Sequence, residues 1–370
     1  GNVNGVNDDG AGVAGATVTA NDDSATTTAS GTYTLFATVE GSDPLLIVET
    51  DPAGYVSTNA VPGADLSRDD ANTLRIAEPV SGTVYTAADF GDVLATGVVT
   101  ISGQVWNDNG AGDGGGLANG IPDGTEPGLP GAVISLSSGL TQTTQADGAF
   151  LLYAPPDQAI QVTETNPDNY VSTNAIPGDA ASKIDNDNLS IGSLAAGTTA
   201  ADNLFGDVLD SSVAVISGAV FDDANENGVF DPSESGIEAV TVTLEIDGGN
   251  TITVTTDVDG QYQFAVAPGS DIRITSAGPG AAFYPTTPES IVARPDTSGV
   301  YTGNDFGYSN ESGVSVIFGL VFDDADSNGT QDFGEFGLAG AVITLDGSQP
   351  YTTTTDGLIA GTFTYSVAEA

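Results

Sequence analysis

The stretch AVTVTLEIDGGNTITVTTDVDGQYQFAVAP, residues 239–268, decides the fold. In AVTVTLEI (239–246) apolar and polar residues alternate and β-branched residues dominate, the two-residue period of a half-buried strand. TITVTT (251–256) follows in the same style. DVDG then reads as a turn with glycine at its last position, and QYQFAVAP sets Tyr262, Phe264 and Val266 on one face. No segment shows a 3.6-residue apolar stripe with caps. Gly and Pro punctuate the chain at intervals suited to a β-sandwich.

The pattern recurs. GQVWNDN at 103, GAVFDDA at 218 and GLVFDDA at 319 are one motif, with Asp223 lying 115 residues after Asp108 and Asp324 lying 101 after Asp223. YVSTNAVPGAD at 55 returns as YVSTNAIPGDA at 170. ADFGDVL at 88, NLFGDVL at 203 and NDFGYSN at 304 close each unit. Repeats of this kind imply a tandem array. The expected division is four units: 1–96 (without its first strand), 97–212 (with an insertion in its acidic loop), 213–312, and 313–370 (without its second half). With glycine at residue 1, the chain reads as a processed product or a window on a longer array. The linkers VLATGVV (93–99) and VLDSSVAV (208–215) are short and partly apolar, which predicts strand-like, stiff junctions.

Composition excludes several functions. The 370 residues carry 51 Asp plus Glu against 5 Lys plus Arg, a formal charge of −46. Nucleic acid is not an expected partner, because phosphate binding needs clustered Lys and Arg. Anionic membrane surfaces are disfavoured on the same ground. The chain contains no Cys, His or Met, so thiol catalysis, disulfides, Cys or His zinc sites and a Ser-His-Asp triad are unavailable to it. No apolar run is long enough to span a bilayer. Enzymatic activity is not expected.

Such acidity favours cations, and FDDANENGVFDPSE (221–234) shows where one would bind. Counting from Asp223 as position 1, Asn225, Asn227, Asp231 and Glu234 fall at positions 3, 5, 9 and 12, with Gly228 at position 6. This is the ligand spacing of the EF-hand calcium loop. Alternate side chains turn inward, glycine permits a sharp bend, the Val229 carbonyl supplies position 7, and Glu234 chelates through both oxygens. The set recurs at Asp324, Asp326, Asn328, Thr330 (through its carbonyl), Asp332 and Glu335. In the second unit Asp108 keeps position 1, and Asn119, Asp123 and Glu126 complete the loop after an insertion that offers Asp113 as an extra ligand. The first unit retains Asn2, Asn4, Gly5 and Asp8 but no glutamate, so weak or partner-completed binding is expected there. Strands rather than helices flank these loops, so no EF-hand fold is implied. The expected cofactor is Ca2+; magnesium suits so many protein oxygens less well.

Fainter signals are read conservatively. Asp70, Asn72, Asp185 and Asp187 occupy equivalent places and could ligate a cation, but ordinary Asx turns account for them. Asp257 and Asp259 in the DVDG turn are weaker candidates. Trp106 aligns with Phe221 and Phe322 and reads as a core aromatic.

At GAVFDDANENGVFDPSESGIEAVTVTLE, TTDVDGQYQF and NDFGY the chain resembles the B-type repeats of serine-aspartate-repeat adhesins, which are collagen-adhesin B-type, prealbumin-like domains of bacterial surface proteins. The resemblance implies a tandem array of prealbumin- or immunoglobulin-like antiparallel β-sandwiches, each with an EF-hand-like calcium loop, at the cell surface. It places the family's calcium ligands on Asp223, Asn225, Asn227, Asp231 and Glu234, and on Asp324, Asp326, Asn328, Asp332 and Glu335. Many such domains carry a Lys–Asn isopeptide staple. The single lysine, Lys183, lies away from the opening strand, so that staple is not expected and calcium is left as the reinforcement.

The expected function is a calcium-stabilised extracellular stalk, fibre or filament. The alternative is an adhesin module that binds a sugar or protein ligand of a host or matrix, for which FYPTTP (283–288) is the nearest aromatic candidate. Copies of the chain could also associate end to end or by strand donation, since an open sheet edge accepts an added strand.

Overall fold

The computed structural model describes residues 3, 11–39, 41, 43–310, 314–345, 351–354 and 362–368. Their regular structure is strand, apart from two short 3-10 turns, Ala95–Gly97 and Asp210–Ser212.

The stretch that opened the sequence reading folds as read. Thr241–Ile246 pairs antiparallel with Asn250–Thr255, and Val242 and Leu244 on its inward phase are fully buried. Gly260 closes the turn with φ 74°, its N–H donating to the Asp257 carbonyl (2.9 Å). Gln261–Val266 then places Tyr262, Phe264 and Val266 in the core.

The second repeat shows the layering most fully. One sheet orders its strands Thr141–Thr143, Val133–Leu136, Ile160–Thr165, Asn188–Ile191 and Ala181–Lys183, all antiparallel. The other orders Ala149–Ala154, Val99–Asn107, Thr199–Leu209 and Tyr170–Ile176. Ile101, Val105, Phe150 and Phe205 from one layer meet Ile134, Val162, Leu189 and Ile191 from the other in one core. Each such side chain contributes roughly 1.5–3 kcal/mol of burial. The third repeat has the same two layers around Phe264, Leu244, Ile274 and Phe306.

The pairings of first with closing strands depart from the antiparallel expectation. Val99–Asn107 and Thr199–Leu209 run parallel, as do Ala214–Asp222 and its neighbours Gly299–Tyr301 and Phe306–Ser309. Alternation reports which face of a strand is inward, not the direction of its partner. Parallel neighbours need a long crossover, and the strands between the first and last of each repeat supply it. Because both terminal strands point the same way, the last strand leads directly into the first strand of the next repeat.

The closing FG motif has a packing reason. A Cβ on Gly206 would lie 2.3 Å from the Trp106 ring, and one on Gly307 would lie 2.8 Å from the Phe221 ring. Trp106 and Phe221 are buried core aromatics, as expected. The glycine in the last strand makes room for the aromatic of the first.

The linkers contain a 3-10 turn rather than continuous strand. Their valines anchor them: Val98 and Val213 are fully buried. Val213, Val215 and Ala265 cluster with Val171, Val208 and Ala118 of the preceding repeat.

In the first repeat a five-stranded sheet (Asp23–Thr26, Thr17–Ala20, Leu45–Thr50, Thr73–Ile76, Ser67–Asp70) accompanies the pair Tyr55–Val61 and Asp89–Leu94. In the fourth, Val314–Leu320 pairs with Thr362–Ala368, and Val342–Leu345 with Tyr351–Thr354.

Candidate metal loops

Three acidic loops share one architecture. In each, the position-1 carboxylate accepts the N–H groups of positions 5 and 6. Asp223 Oδ1 and Oδ2 receive Asn227 N (3.0 Å) and Gly228 N (2.8 Å). Asp324 receives Asn328 N (3.0 Å) and Gly329 N (3.0 Å). Asp108 receives Asn119 N (3.2 Å) and Gly120 N (2.7 Å). The position-6 glycines all hold the predicted positive φ: 73° at Gly228, 78° at Gly329 and 68° at Gly120.

The position-12 glutamate folds back across the loop. Glu234 Oε1 accepts Asn225 N (3.4 Å) and Oε2 accepts Asp231 N (3.0 Å). Glu335 accepts Ala325 N (2.8 Å) and Asp332 N (3.1 Å). Glu126 accepts Gly110 N (2.9 Å) and Asp123 N (3.3 Å). Position 9 is reached by the amides: Asn225 and Asn227 both donate to Asp231 Oδ2 (2.8 and 2.9 Å), Asn328 donates to Asp332 (2.6 Å), and Asn119 to Asp123 (2.8 Å). The predicted side-chain ligands of each loop are thus gathered in one place. In the fourth repeat, oxygens of Asp324, Asp326 and Glu335 lie within 4.8 Å of one another. The donor set is oxygen throughout, which suits a hard cation of calcium size rather than zinc.

Burial differs between the loops' parts. Asp223 and Asp108 are fully buried, whereas Val229 and Thr330, expected to act through their carbonyls, have exposed side chains. Burial pushes Asp108 up to about 6, against the lowering effect of the Thr173 hydroxyl and the Gly120 and Asn119 N–H groups. Burial also raises Glu126. Asp113 lies exposed on the insertion, which is closed at its base by an Asn109–Leu117 bridge. Asn2, Asn4, Gly5 and Asp8 lie outside the described residues.

Sequence reasoning missed position 4. Ala118, Glu226 and Ser327 hold positive φ (50°, 57° and 62°) without being glycine. Ala118 and Glu226 are buried: Ala118 sits in the apolar junction with the third repeat, and Glu226 accepts hydrogen bonds from Tyr284 and Ser309. FYPTTP is accordingly spent on the fold. Phe283 packs on the core, Tyr284–Pro285 pairs with the last strand, and Thr286 is fully buried.

Buried carboxylates elsewhere were also missed. Glu49 and Glu164 occupy the inward phase of LLIVET and IQVTET, beside Leu45 and Ile47 or Ile160 and Val162. A glutamate in that phase was the available signal. The Asp70 and Asp185 turns are Asx turns as read: each aspartate accepts the N–H two residues on, from Asn72 and Asp187 (both 2.8 Å). Lys183 donates to the side-chain oxygens of Asn174 (2.5 Å) and Asn186 (2.8 Å), away from the opening strand.

Fold and loops together define a class: a tandem all-β array in which, among the described residues, three units carry an acidic, oxygen-lined turn after the first strand. Residues 214–297 match the family model of the SdrD B-like domain. That match, with the relatives below, supports reading the repeats as similar to the B-type repeats of serine-aspartate-repeat adhesins. The chain is 28% identical over 314 residues to serine-aspartate repeat-containing protein D of Staphylococcus aureus (strain Newman), covering 80% of this chain and 22% of that protein. It is 28% identical over 250 residues to serine-aspartate repeat-containing protein F of Staphylococcus epidermidis, covering 65% of this chain and 13% of that one. The chain therefore spans less than a quarter of the length of these relatives. Among solved structures it is similar to the Bacillus anthracis TIE protein (14% identity, 88% of this chain, 52% of that one, TM-score 0.23). It is also similar to the shaft pilin SpaA of Lactobacillus rhamnosus GG (9%, 58%, 98%, TM-score 0.23).

Proposed function

We propose that the chain is a calcium-stabilised structural array of the cell exterior, part of a surface stalk, fibre or filament. Its units are β-sandwiches at 1–96, 97–212, 213–312 and 313–370, and its cofactor is Ca2+. The observation that carries this reading is the threefold recurrence of one cage: a position-1 carboxylate pinned by two backbone N–H groups, with a glutamate eleven residues on (after the insertion, in the second repeat) folded back towards it. Carboxylates held this close repel one another unless a cation sits among them. The serine-aspartate-repeat relatives support the placement at the surface. Among the described residues no helix is long and apolar enough to cross a membrane. The same relatives also fit the adhesin alternative, but its aromatic candidate is committed to the core and the last strand.

Scanning calorimetry with excess calcium chloride and with a chelator tests the reading. Binding to the folded form alone stabilises by about 4 kcal/mol at a thousandfold excess over Kd, so chelation should lower the melting transitions clearly. Sodium chloride should restore only part of the loss, because screening weakens repulsion without supplying ligands. Identical melting with and without calcium would refute the assignment.

A further inference from the structure

A second set of acidic groups lies inside the sandwiches, outside the ligand sets of the loops. In the first repeat, carboxylate oxygens of Glu49, Asp51 and Asp92 lie within 4.8 Å of one another. Glu49 is 3% exposed, and neither of its carboxylate oxygens accepts a hydrogen bond. Asp92 Oδ1 and the amide oxygen of Asn72 are likewise buried without a donor. In the second repeat the equivalent positions are Glu164, Asn166, Asp207 and Asp187. The equivalence follows from register: Glu49 N–H donates to the Asn72 carbonyl (2.9 Å) and Glu164 N–H to the Asp187 carbonyl (2.8 Å). Ser57 pairs with Asp92, and Ser172 with Asp207. Glu164 is 3% and Asp207 0% exposed, and each has one oxygen without a partner.

The composition of the pocket is kept although its positions change. Three carboxylates, one amide and one serine line it in both repeats. The third carboxylate is Asp51 in one and Asp187 in the other, with Asn72 and Asn166 in the exchanged places. The serine hydroxyl donates to that third carboxylate in both, Ser57 to Asp51 (2.5 Å) and Ser172 to Asp187. The third repeat is an internal control. There Ser276, Gly278 and Tyr308 replace Glu, Asp or Asn, and Asp. The Tyr308 hydroxyl spans the gap, in contact with Ser276 Oγ (2.9 Å) and Glu289 Oε1 (3.2 Å). A repeat that closes this pocket with hydrogen bonds has one carboxylate; the repeats that leave oxygens unpartnered have three.

We infer that the first and second repeats each hold a second divalent cation of the calcium class in this pocket, bound by Glu49, Asp51 and Asp92 in one and by Glu164, Asp187 and Asp207 in the other. Buried charge of one sign is stable only when paired or metal-bound. Two serines, two amides and six carboxylates supply the hard oxygens that calcium takes. Without an ion such crowded groups are pushed towards their neutral forms: burial, then Asp92, pushes Glu49 up to about 8, and burial raises Glu164. Lys183 offsets part of the charge on Asp187, but its ammonium donates to the amide oxygens of Asn174 and Asn186, and one lysine does not balance three carboxylates.

The test is calorimetric titration of the full chain with calcium chloride, comparing the parent with Glu49→Gln, Glu164→Gln and, as a loop control, Glu234→Ala. Each glutamine variant should lose one equivalent of bound calcium, and the loss should add to that of Glu234→Ala. Melting in chelator checks folding. There the glutamine variants should melt no lower than the parent, since each relieves crowding among carboxylates. Should either glutamine variant fail to fold, Asp51→Asn and Asp187→Asn take their place. Unchanged stoichiometry in folded glutamine variants would overturn the inference and leave the pocket as a cluster of protonated acids. Because the loop sites are read out by Glu234→Ala, failure there is distinguishable from failure here.

Discussion

Asp223→Ala and Glu234→Ala separate the scaffold of the third loop from the ion binding proposed for it. Asp223 is fully buried and holds two backbone N–H groups, those of Asn227 and Gly228, at 3.0 and 2.8 Å. Truncation leaves both donors unpaired in a partly buried place, at a cost of roughly 1–3 kcal/mol each. A loss of about 2–6 kcal/mol is therefore expected even in chelator. For a domain of ~100 residues, 1 kcal/mol corresponds to roughly 4–8 °C, so the transition of the third repeat should fall by at least ~8 °C. Glu234 is only half-buried, and its two N–H donors, from Asn225 and Asp231, lie towards solvent. Its truncation should cost about 1 kcal/mol or less in chelator, but remove most of the calcium-dependent gain. Both variants should therefore be insensitive to calcium at the third repeat, while only Asp223→Ala is also weak without it. Calorimetry of the full chain with and without calcium reads all four states. Equal melting of Asp223→Ala and the parent in chelator would refute the scaffold role. Retention of the calcium shift by Glu234→Ala would refute the ligand role.

Other perturbations probe the fold that positions the loops. Gly206→Ala sets a methyl 2.3 Å from the Trp106 ring and should destabilise the second repeat by about 1–3 kcal/mol, read as a lowered melting transition; an unchanged transition would count against that packing. Val213→Asp buries a charge in the junction cluster with Val171 and Val208, so the transitions of the second and third repeats should fall, and unchanged transitions would argue against an anchored linker. In chelator, stability should fall as pH rises. Glu49, faced by Asp92 and Asp51, has a folded value of about 8 against an ordinary 4.5. The folded state thus binds the extra proton, and its contribution is full below about 4.5 and lost as pH rises through about 8. A melting temperature that rises between pH 5 and 8 in chelator would contradict this.

Much of this protein was legible without coordinates. Alternation in 239–246 and 261–266 marked the strands and their buried faces, because a strand's side chains alternate whatever its neighbours do. The spacing from Asp223 to Glu234 marked the loop, because the ligands of a tight turn are close in sequence. Gly228 announced the positive φ that its position requires. Lys183 was legible as lying away from the opening strand, and it ends Ala181–Lys183 in the other sheet. These are local facts, and local chemistry determines them.

The tertiary structure decided what depends on groups distant in the chain. Whether Val99–Asn107 lies parallel or antiparallel to Thr199–Leu209 is a property of two strands whose faces look the same either way. The glycine of the FG motif acquires its reason only when Trp106 arrives opposite Gly206. Ala118 and Glu226 adopt positive φ because the junction and the last strand hold them there, against their own preference. Glu49, Asp51 and Asp92 are three ordinary acids among 51 until the packing of distant strands, Leu45–Thr50 and Asp89–Leu94, brings them within 4.8 Å. Electrostatic coupling depends on that distance and on burial, and only the packed sheets provide both.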